Sequence, residues 1–165
     1  MTRALFPPAR ILALDVHPQR YGYAVLEMPG DLLDWGVRRR YLKDAPRRLN
    51  WVRKSLRNLL ERWRPSLIVT KKLLKPATSR LKKTRASLVA EARRFGIPVR
   101  RVPEAAIRST FGGCRFVTTY HMAQTLVQRF SFLAFLLPPL RKIYESQDYR
   151  MSIFAAVALA LTAIA

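Results

Sequence analysis

Residues 11–27 read ILALDVHPQRYGYAVLE. The opening ILALDV is an apolar run that carries an acid, Asp15, near its end, and short runs of this kind are typical of strands buried on both faces of a sheet. His17 and Pro18 begin a turn, because proline has no backbone N–H for strand pairing and restricts the residue before it. A second strand follows over residues 21–27. We therefore expect two consecutive strands that pair, with Asp15 at the end of the first.

The same patterns extend along the rest of the chain. A third strand is predicted over residues 32–39, and short apolar segments at 66–70 and 97–102 predict two further strands. The helical spacing of apolar residues and the positions of caps and breakers predict helices over 44–63, 77–95, 103–110, 118–137 and 148–163. A three-strand meander followed by strands that alternate with helices is an α/β pattern with a mixed sheet and helices over both faces. We expect residues 1–165 to form one domain.

Charge is the unusual feature of the composition. The chain has 31 lysines and arginines against 10 aspartates and glutamates, which gives a formal net charge of +21. Such an excess favours a polyanionic partner, either nucleic acid or an anionic membrane surface. The single cysteine excludes an intramolecular disulfide. The uncharged residues 151–165 are too few for a spanning helix, which needs about 20 apolar residues. We expect a cytoplasmic protein without an export signal or integral membrane association.

Basic side chains gather in runs that predict a nucleic-acid-binding surface. Lysine and arginine neutralise phosphates whatever the base sequence, and few acids balance them here. No pattern of base-reading side chains is recognisable, which favours recognition of shape or backbone over sequence. The alternative interpretation of such runs is a solvated basic face. The residues that we predict to contact nucleic acid are Arg38, Arg39, Arg40, Arg47, Arg48, Arg53, Lys71, Lys72, Lys75, Arg80, Lys82 and Lys83.

Two segments resemble those of a known family. Residues 11–27, with an acid closing the first strand and a Gly-aromatic pair in the second, are similar to the opening of the RuvC-like Holliday-junction resolvases, within the ribonuclease H-like superfamily. Residues 145–162, ESQDYRMSIFAAVALALT, resemble the acid-led, Ala-rich last helix of that family. The order of strands and helices between these segments also agrees. The resemblance implies a ribonuclease H-like α/β fold: a mixed five-stranded sheet, three strands in a meander and then two more, with helices on both faces.

The resemblance also implies a metal-dependent reaction at one edge of the sheet. These resolvases hydrolyse a phosphodiester with two divalent ions, Mg²⁺ or Mn²⁺, which need converging carboxylate ligands. The family pattern has acids at the end of strand one, at the end of strand four and in the last helix. This sequence keeps the first as Asp15. Strand four ends in Thr70 and Lys71, and Ser152 and Ala155 stand where the last helix would carry acids.

Nearby acids are candidates to replace the missing ones. Asp148 lies four residues before Ser152, a spacing that places both on one face of a helix. Glu145 lies farther from this helix, and a bend before the helix would return it to the site. We therefore predict Asp15, Asp148 and Glu145 as catalytic residues, with Asp15 and Asp148 as metal ligands. The alternative is that Asp148 caps the last helix or belongs to its first turn, where the helix dipole favours an acid.

Two functions follow from these observations. The first is a divalent-metal-dependent, structure-specific endonuclease of the Holliday-junction resolvase type. The second is a catalytically inactive pseudonuclease that binds branched or duplex nucleic acid, with DNA favoured, in which Lys71 and Lys72 either contact phosphates or form a solvated basic turn. A weaker third hypothesis is a protein that binds membranes or partners through its basic helices and the Phe/Leu-rich residues 130–137. That stretch is either core or a dimer surface, and the resemblance implies a homodimer.

Overall fold

The computed structural model describes residues 9–73, 77–112 and 118–165. Five strands form one sheet in the order β3-β2-β1-β4-β5. The first three strands pair antiparallel, whereas β4 pairs parallel with both β1 and β5. This topology confirms the predicted mixed sheet of a meander followed by two further strands. The strands are β1 (Arg10–Val16), β2 (Arg20–Glu27), β3 (Asp31–Arg39), β4 (Leu67–Lys71) and β5 (Val99–Val102).

Helices cover both faces of the sheet, as predicted. The side chains of β1 alternate between the two faces, as in any strand. Leu12 and Leu14 pack with α1 and α2, whereas Ile11 and Ala13 pack with α5. Full burial of a leucine side chain contributes about 1.5–3 kcal/mol, so both layers stabilise the sheet. The helices are α1 (Ala45–Trp63), α2 (Ser79–Arg94), α3 (Glu104–Gly112), α4 (Thr119–Arg129) and α5 (Met151–Ile164).

The predicted helix over residues 118–137 is divided in the structure. Thr118 caps α4 as its position suggests, because its side chain accepts a hydrogen bond from the backbone N–H of His121. The α-helix ends at Phe130, whose φ of −119° and ψ of 80° are not helical, and the chain continues as a 3₁₀ helix over Ser131–Leu136. The bend places Phe130 and Leu133 in the core, while Phe132 stacks at 4.9 Å on Trp35. Tertiary packing therefore overrides the continuous apolar pattern.

The close approach of α5 to β2 depends on Gly22. A Cβ atom at this position would overlap the backbone oxygen and the hydroxyl of Ser152 in α5. Because the overlap involves backbone, the helix cannot avoid it by a side-chain rotation. The missing side chain of Gly22 therefore sets how closely α5 lies over the carboxyl end of β1.

We expect Gly22→Ala to lower the free energy of unfolding by about 2–3 kcal/mol, the usual scale of overpacking in a core. Urea unfolding followed by circular dichroism measures this change. Gly30→Ala is the matched control, since a Cβ there meets only the end of the Arg129 side chain. The control should shift stability by about 0.5 kcal/mol or less. Equal stability losses in the two variants would contradict this account of the α5 contact.

Candidate functional site

Asp15 lies near the carboxyl end of β1 and is held by two protein groups. The Ser152 hydroxyl of α5 donates a hydrogen bond to Asp15 Oδ2 at 2.6 Å. His17 Nε2, from the turn after β1, lies 2.8 Å from the same oxygen. The Asp15 side chain is only 17% exposed. The carboxylate is thus fixed between the turn and α5, and one of its two oxygens is shared by Ser152 and His17.

A cavity of about 600 Å³ brings several of the predicted site residues together. Asp15 and Asp148 both line it, as does Lys71 at the end of β4. Ala155 of α5 lines it too and supplies a methyl group where the family resemblance implies an acid. The carboxyl edge of the sheet therefore forms one site, as expected for an open α/β sheet.

Asp148 lies in this cavity but is engaged by its own neighbour. Arg150 Nε donates to Asp148 Oδ1 at 3.0 Å, and Arg150 Nη2 donates to Asp148 Oδ2 at 2.9 Å. These hydrogen bonds hold the pKa of Asp148 below its usual value. The α5 helix begins at Met151, so Asp148 lies in the turn that leads into the helix, two residues before Arg150. The Asp148 side chain closes the turn before the helix by accepting from the Arg150 backbone N–H.

Glu145 does not join Asp15 in the structure. Among the described residues, those that line the cavity do not include Glu145, whose side chain is exposed. Glu145 Oε2 accepts a hydrogen bond from the Lys142 backbone N–H at 3.0 Å. The bend before α5 therefore directs this carboxylate into its own loop rather than toward β1.

Glu104 is an acid of the cavity that the sequence analysis missed. It begins α3, directly after β5, and lines the cavity with Asp15. Glu104 Oε2 lies 3.5 Å from Lys71 Nζ, and Glu104 Oε1 accepts from Arg108 Nη2 at 2.9 Å. The positive charge of Lys71 is the main reason that the pKa of Glu104 lies below its usual value. The signal was present, since an acid that follows a parallel strand lies at the same sheet edge as Asp15.

An arginine behind the sheet holds the backbone of Lys71 at the end of β4. Arg85 of α2 is 9% exposed and donates to the Lys71 carbonyl at 2.7 Å and to Thr70 Oγ1 at 3.2 Å. Burial lowers the pKa of Arg85, and the charge of Arg101 adds to this effect. Two positive groups therefore lie at the end of β4: the half-buried side chain of Lys71 and the buried guanidinium of Arg85 from α2. This arrangement gives a positive charge to the place where the resemblance implies a carboxylate.

The residues present do not fit a site for two divalent ions. Magnesium takes oxygen ligands in near-octahedral geometry, and a pair of ions needs several free carboxylates. The carboxylates of the cavity are each engaged: Asp15 by Ser152, Asp148 by Arg150, and Glu104 by Lys71 and Arg108. Across residues 9–73, 77–112 and 118–165, the structure places no three His, Cys, Asp or Glu side chains where they could hold a metal ion. The predicted pairing of Asp15 and Asp148 as metal ligands therefore lacks support from the donor set.

Most of the predicted basic surface is exposed, with one correction. Arg48 is only 2% exposed, so its assignment to the surface is wrong. It lies four residues before Val52 on the face of α1 that packs against the sheet, and its Nε has no hydrogen-bond partner. Lys71 is half-buried, and Lys75 lies outside the described residues. The exposed members are Arg38, Arg39, Arg40, Arg47, Arg53, Lys72, Arg80, Lys82 and Lys83.

This surface belongs to a chain whose described helices are all too short or too polar to cross a bilayer. The Phe/Leu-rich stretch after α4 is partly core and partly exposed: Leu133 is buried, whereas Phe135 is 74% exposed. The stretch therefore contributes to the core at Leu133 and to the surface at Phe135.

The sheet order, the covering helices and the position of Asp15 define the class of fold. The protein has the ribonuclease H-like fold of the RuvC-like Holliday-junction resolvases. Two solved structures are similar to this protein over most of its length. Thermus thermophilus RuvC in complex with a Holliday junction substrate matches with a TM-score of 0.70 and 14% identity over 93% of this chain and 91% of that chain. The fowlpox virus resolvase, solved with its substrate Holliday junction, matches with a TM-score of 0.60 and 16% identity over 93% of this chain and 97% of that chain.

A third structure of the same kind is the yeast mitochondrial Holliday junction resolvase. It matches with a TM-score of 0.65 and 14% identity over 96% of this chain and 79% of that chain. No protein-family model matches the sequence, and neither does any curated protein sequence. At these identities the comparisons establish the fold, and the activity has to be argued from the site.

Proposed function

We propose that this protein binds DNA, branched or duplex, through its basic surface and does not cleave it through a two-metal site. One observation carries the second part: the Ser152 hydroxyl occupies Asp15 Oδ2 at 2.6 Å, on the face of α5 where a second acid would have to stand. In the cavity beside it, Lys71 and Ala155 stand at positions where the resemblance implies acids. A pseudonuclease with a resolvase fold accounts for both features.

The net charge of +21 supports the first part of the proposal. Neutralising phosphates releases counterions from DNA, and this term dominates affinity for a protein without base-reading contacts. Exposed cations lie on β3, α1 and α2, and Lys71 lines the cavity. The resolvases from Thermus thermophilus and fowlpox virus were solved with Holliday junctions. We therefore choose a four-way junction as the DNA for binding assays, with a linear duplex for comparison.

Fluorescence anisotropy with a labelled four-way junction and a matched linear duplex tests this function. In EDTA, we expect junction binding to weaken about 10³-fold between 50 and 200 mM salt, the dependence of about six phosphate contacts. Anionic vesicles serve as the comparison for the membrane hypothesis. Absence of binding to both DNAs, or vesicle binding that persists at high salt, would contradict the proposal.

A second candidate function is the metal-dependent endonuclease, with Mg²⁺ or Mn²⁺ as cofactor. The observation that favours it is the convergence of Asp15, Glu104 and Asp148 on one cavity. For these carboxylates to bind metal, Arg150 and Lys71 would have to release their partners. Glu145 would contribute only after the loop before α5 rearranged. The homodimer that the resemblance implies stays a prediction, and analytical ultracentrifugation of the full chain tests it.

A further inference from the structure

Two arginines face each other across the β2–β3 hairpin beside the candidate site. In the antiparallel pairing of β2 and β3, Arg20 is the register partner of Arg39. Residues opposite each other in such a pair have Cβ atoms about 4.5–5.5 Å apart, and like charges in this position destabilise a sheet. Neither strand needs an arginine there for pairing, since the backbone supplies the hydrogen bonds. An anion bound between the two arginines would neutralise both charges and remove their repulsion.

Both arginines belong to the face of the sheet that carries α5 and the cavity. Arg20 alternates with Gly22 and Ala24, and Gly22 lies directly under Ser152. The guanidinium of Arg39 lies 4.1 Å from the centre of the Tyr149 ring, just before α5. The charge of Arg39 also contributes to the low pKa of Asp148, a residue of the cavity wall. The pair therefore stands next to the edge that Asp15 occupies.

Among the described residues, no acid is dedicated to this pair, since Asp148, on which the Arg39 charge acts, is already paired with Arg150. Arg20 Nε is buried without a hydrogen-bond partner, and neither Arg20 nor Arg39 forms an ion pair within the described part of the chain. The nearby acids are already engaged, Asp148 by both ends of the Arg150 guanidinium and Asp15 by Ser152. Stacking on Tyr149 orients Arg39 but adds no negative charge.

We propose that Arg20 and Arg39 together bind one phosphodiester group of the DNA beside the Asp15 cavity. The inference rests on the proposed function and deepens it by naming the residues that fix the backbone at this edge. Guanidinium groups suit this role because their planar fork donates two parallel hydrogen bonds to phosphate oxygens. Tyr149 keeps the Arg39 fork in place, which lowers the loss of side-chain freedom on binding.

The test compares the double variant Arg20→Gln/Arg39→Gln with the wild-type chain on the labelled four-way junction in EDTA. We expect affinity at 0.1 M salt to fall about tenfold, and the slope of log K against log salt to decrease by about 0.9, the value for one phosphate contact. Because like charges no longer face each other, the melting temperature without DNA should stay the same or rise. Arg20→Lys/Arg39→Lys keeps both charges and should retain most of the salt slope.

The matched control is Arg62→Gln/Arg93→Gln, which removes the same charge from the opposite edge of the sheet. Arg62 lies at the end of α1, and this end of the helix is beside the start of β1, because Arg10 donates a hydrogen bond to the Trp63 carbonyl. Control affinity should change less than threefold. Wild-type affinity and slope in Arg20→Gln/Arg39→Gln would overturn this inference and leave the proposed function intact. Weaker binding together with a lower melting temperature would assign the pair a structural role and also overturn it. A wild-type chain that binds no DNA would overturn both.

Discussion

Ser152→Asp is expected to lower the free energy of unfolding by about 3 kcal/mol at neutral pH, and Mg²⁺ is expected to restore much of it. The new carboxylate would lie against Asp15 Oδ2, which Ser152 now reaches at 2.6 Å, in a position that is 4% exposed. An uncompensated buried charge costs about 3–5 kcal/mol. Two carboxylates that face each other are also the donor set that a divalent ion prefers.

Chemical unfolding in EDTA and in 10 mM Mg²⁺ measures both effects. An ion at 100 times its dissociation constant would stabilise the folded variant by about 2.7 kcal/mol. Ser152→Asn is the control, because asparagine has the size of aspartate without its charge. The stability of this variant should not depend on Mg²⁺. In EDTA, the loss in Ser152→Asp should shrink as the pH falls, because protonation of one carboxyl removes the repulsion. A wild-type chain that Mg²⁺ already stabilises to the same extent would contradict the conclusion that its donor set does not fit the metal.

The triple variant Arg80→Ala/Lys82→Ala/Lys83→Ala is expected to bind DNA about 10²-fold more weakly at 0.1 M salt. All three residues are exposed near the start of α2. This part of α2 adjoins the site, because Thr84 Oγ1 donates to the Pro18 carbonyl at 3.0 Å and Arg85 donates to the Lys71 carbonyl. Loss of three phosphate contacts should reduce the salt slope by about 2.7.

Anisotropy titrations over 50–200 mM salt measure that slope directly. The control Arg62→Ala/Arg93→Ala/Arg94→Ala removes equal charge at the far ends of α1 and α2 and should leave the slope within about 0.5 of wild type. Junction and duplex should lose affinity in parallel, since phosphate contacts carry no base information. Equal losses of affinity in the two triple variants would mean that DNA binding depends on net charge alone. That result would contradict a defined DNA-binding surface at the start of α2.

The strands and the position of Asp15 could be predicted from sequence because each depends on local pattern. The apolar run at residues 11–16 has no helical spacing, and the Pro18 turn fixes where β1 ends. The parallel strands followed from short apolar segments between amphipathic helices. For these strands and helices, local propensity and the pattern of apolar residues indicate the same structure. This agreement is why the mixed sheet and its two helical layers were predicted correctly.

The contacts of the site could not be predicted, because they join residues distant in sequence. Ser152 meets Asp15 across 137 positions, and the packing of α5 on the sheet over Gly22 brings them together. Arg48 looked like surface from its charge, although its spacing from Val52 placed it on the buried face of α1. Glu104 was overlooked because it follows a strand of four residues with two exposed arginines, whose burial pattern is weak.

The central claim is that the protein binds a four-way junction without cutting it, and one gel assay tests it most directly. Labelled junction at saturating protein is incubated with Mg²⁺ or Mn²⁺ and run on a denaturing gel, beside Asp15→Asn and a metal-free sample. We predict no cleavage above the metal-free background, and a bound junction in every sample when the same mixtures are run on a native gel. Symmetric, metal-dependent cuts that disappear in Asp15→Asn would contradict the claim and show that Asp15 takes part in metal-dependent cleavage.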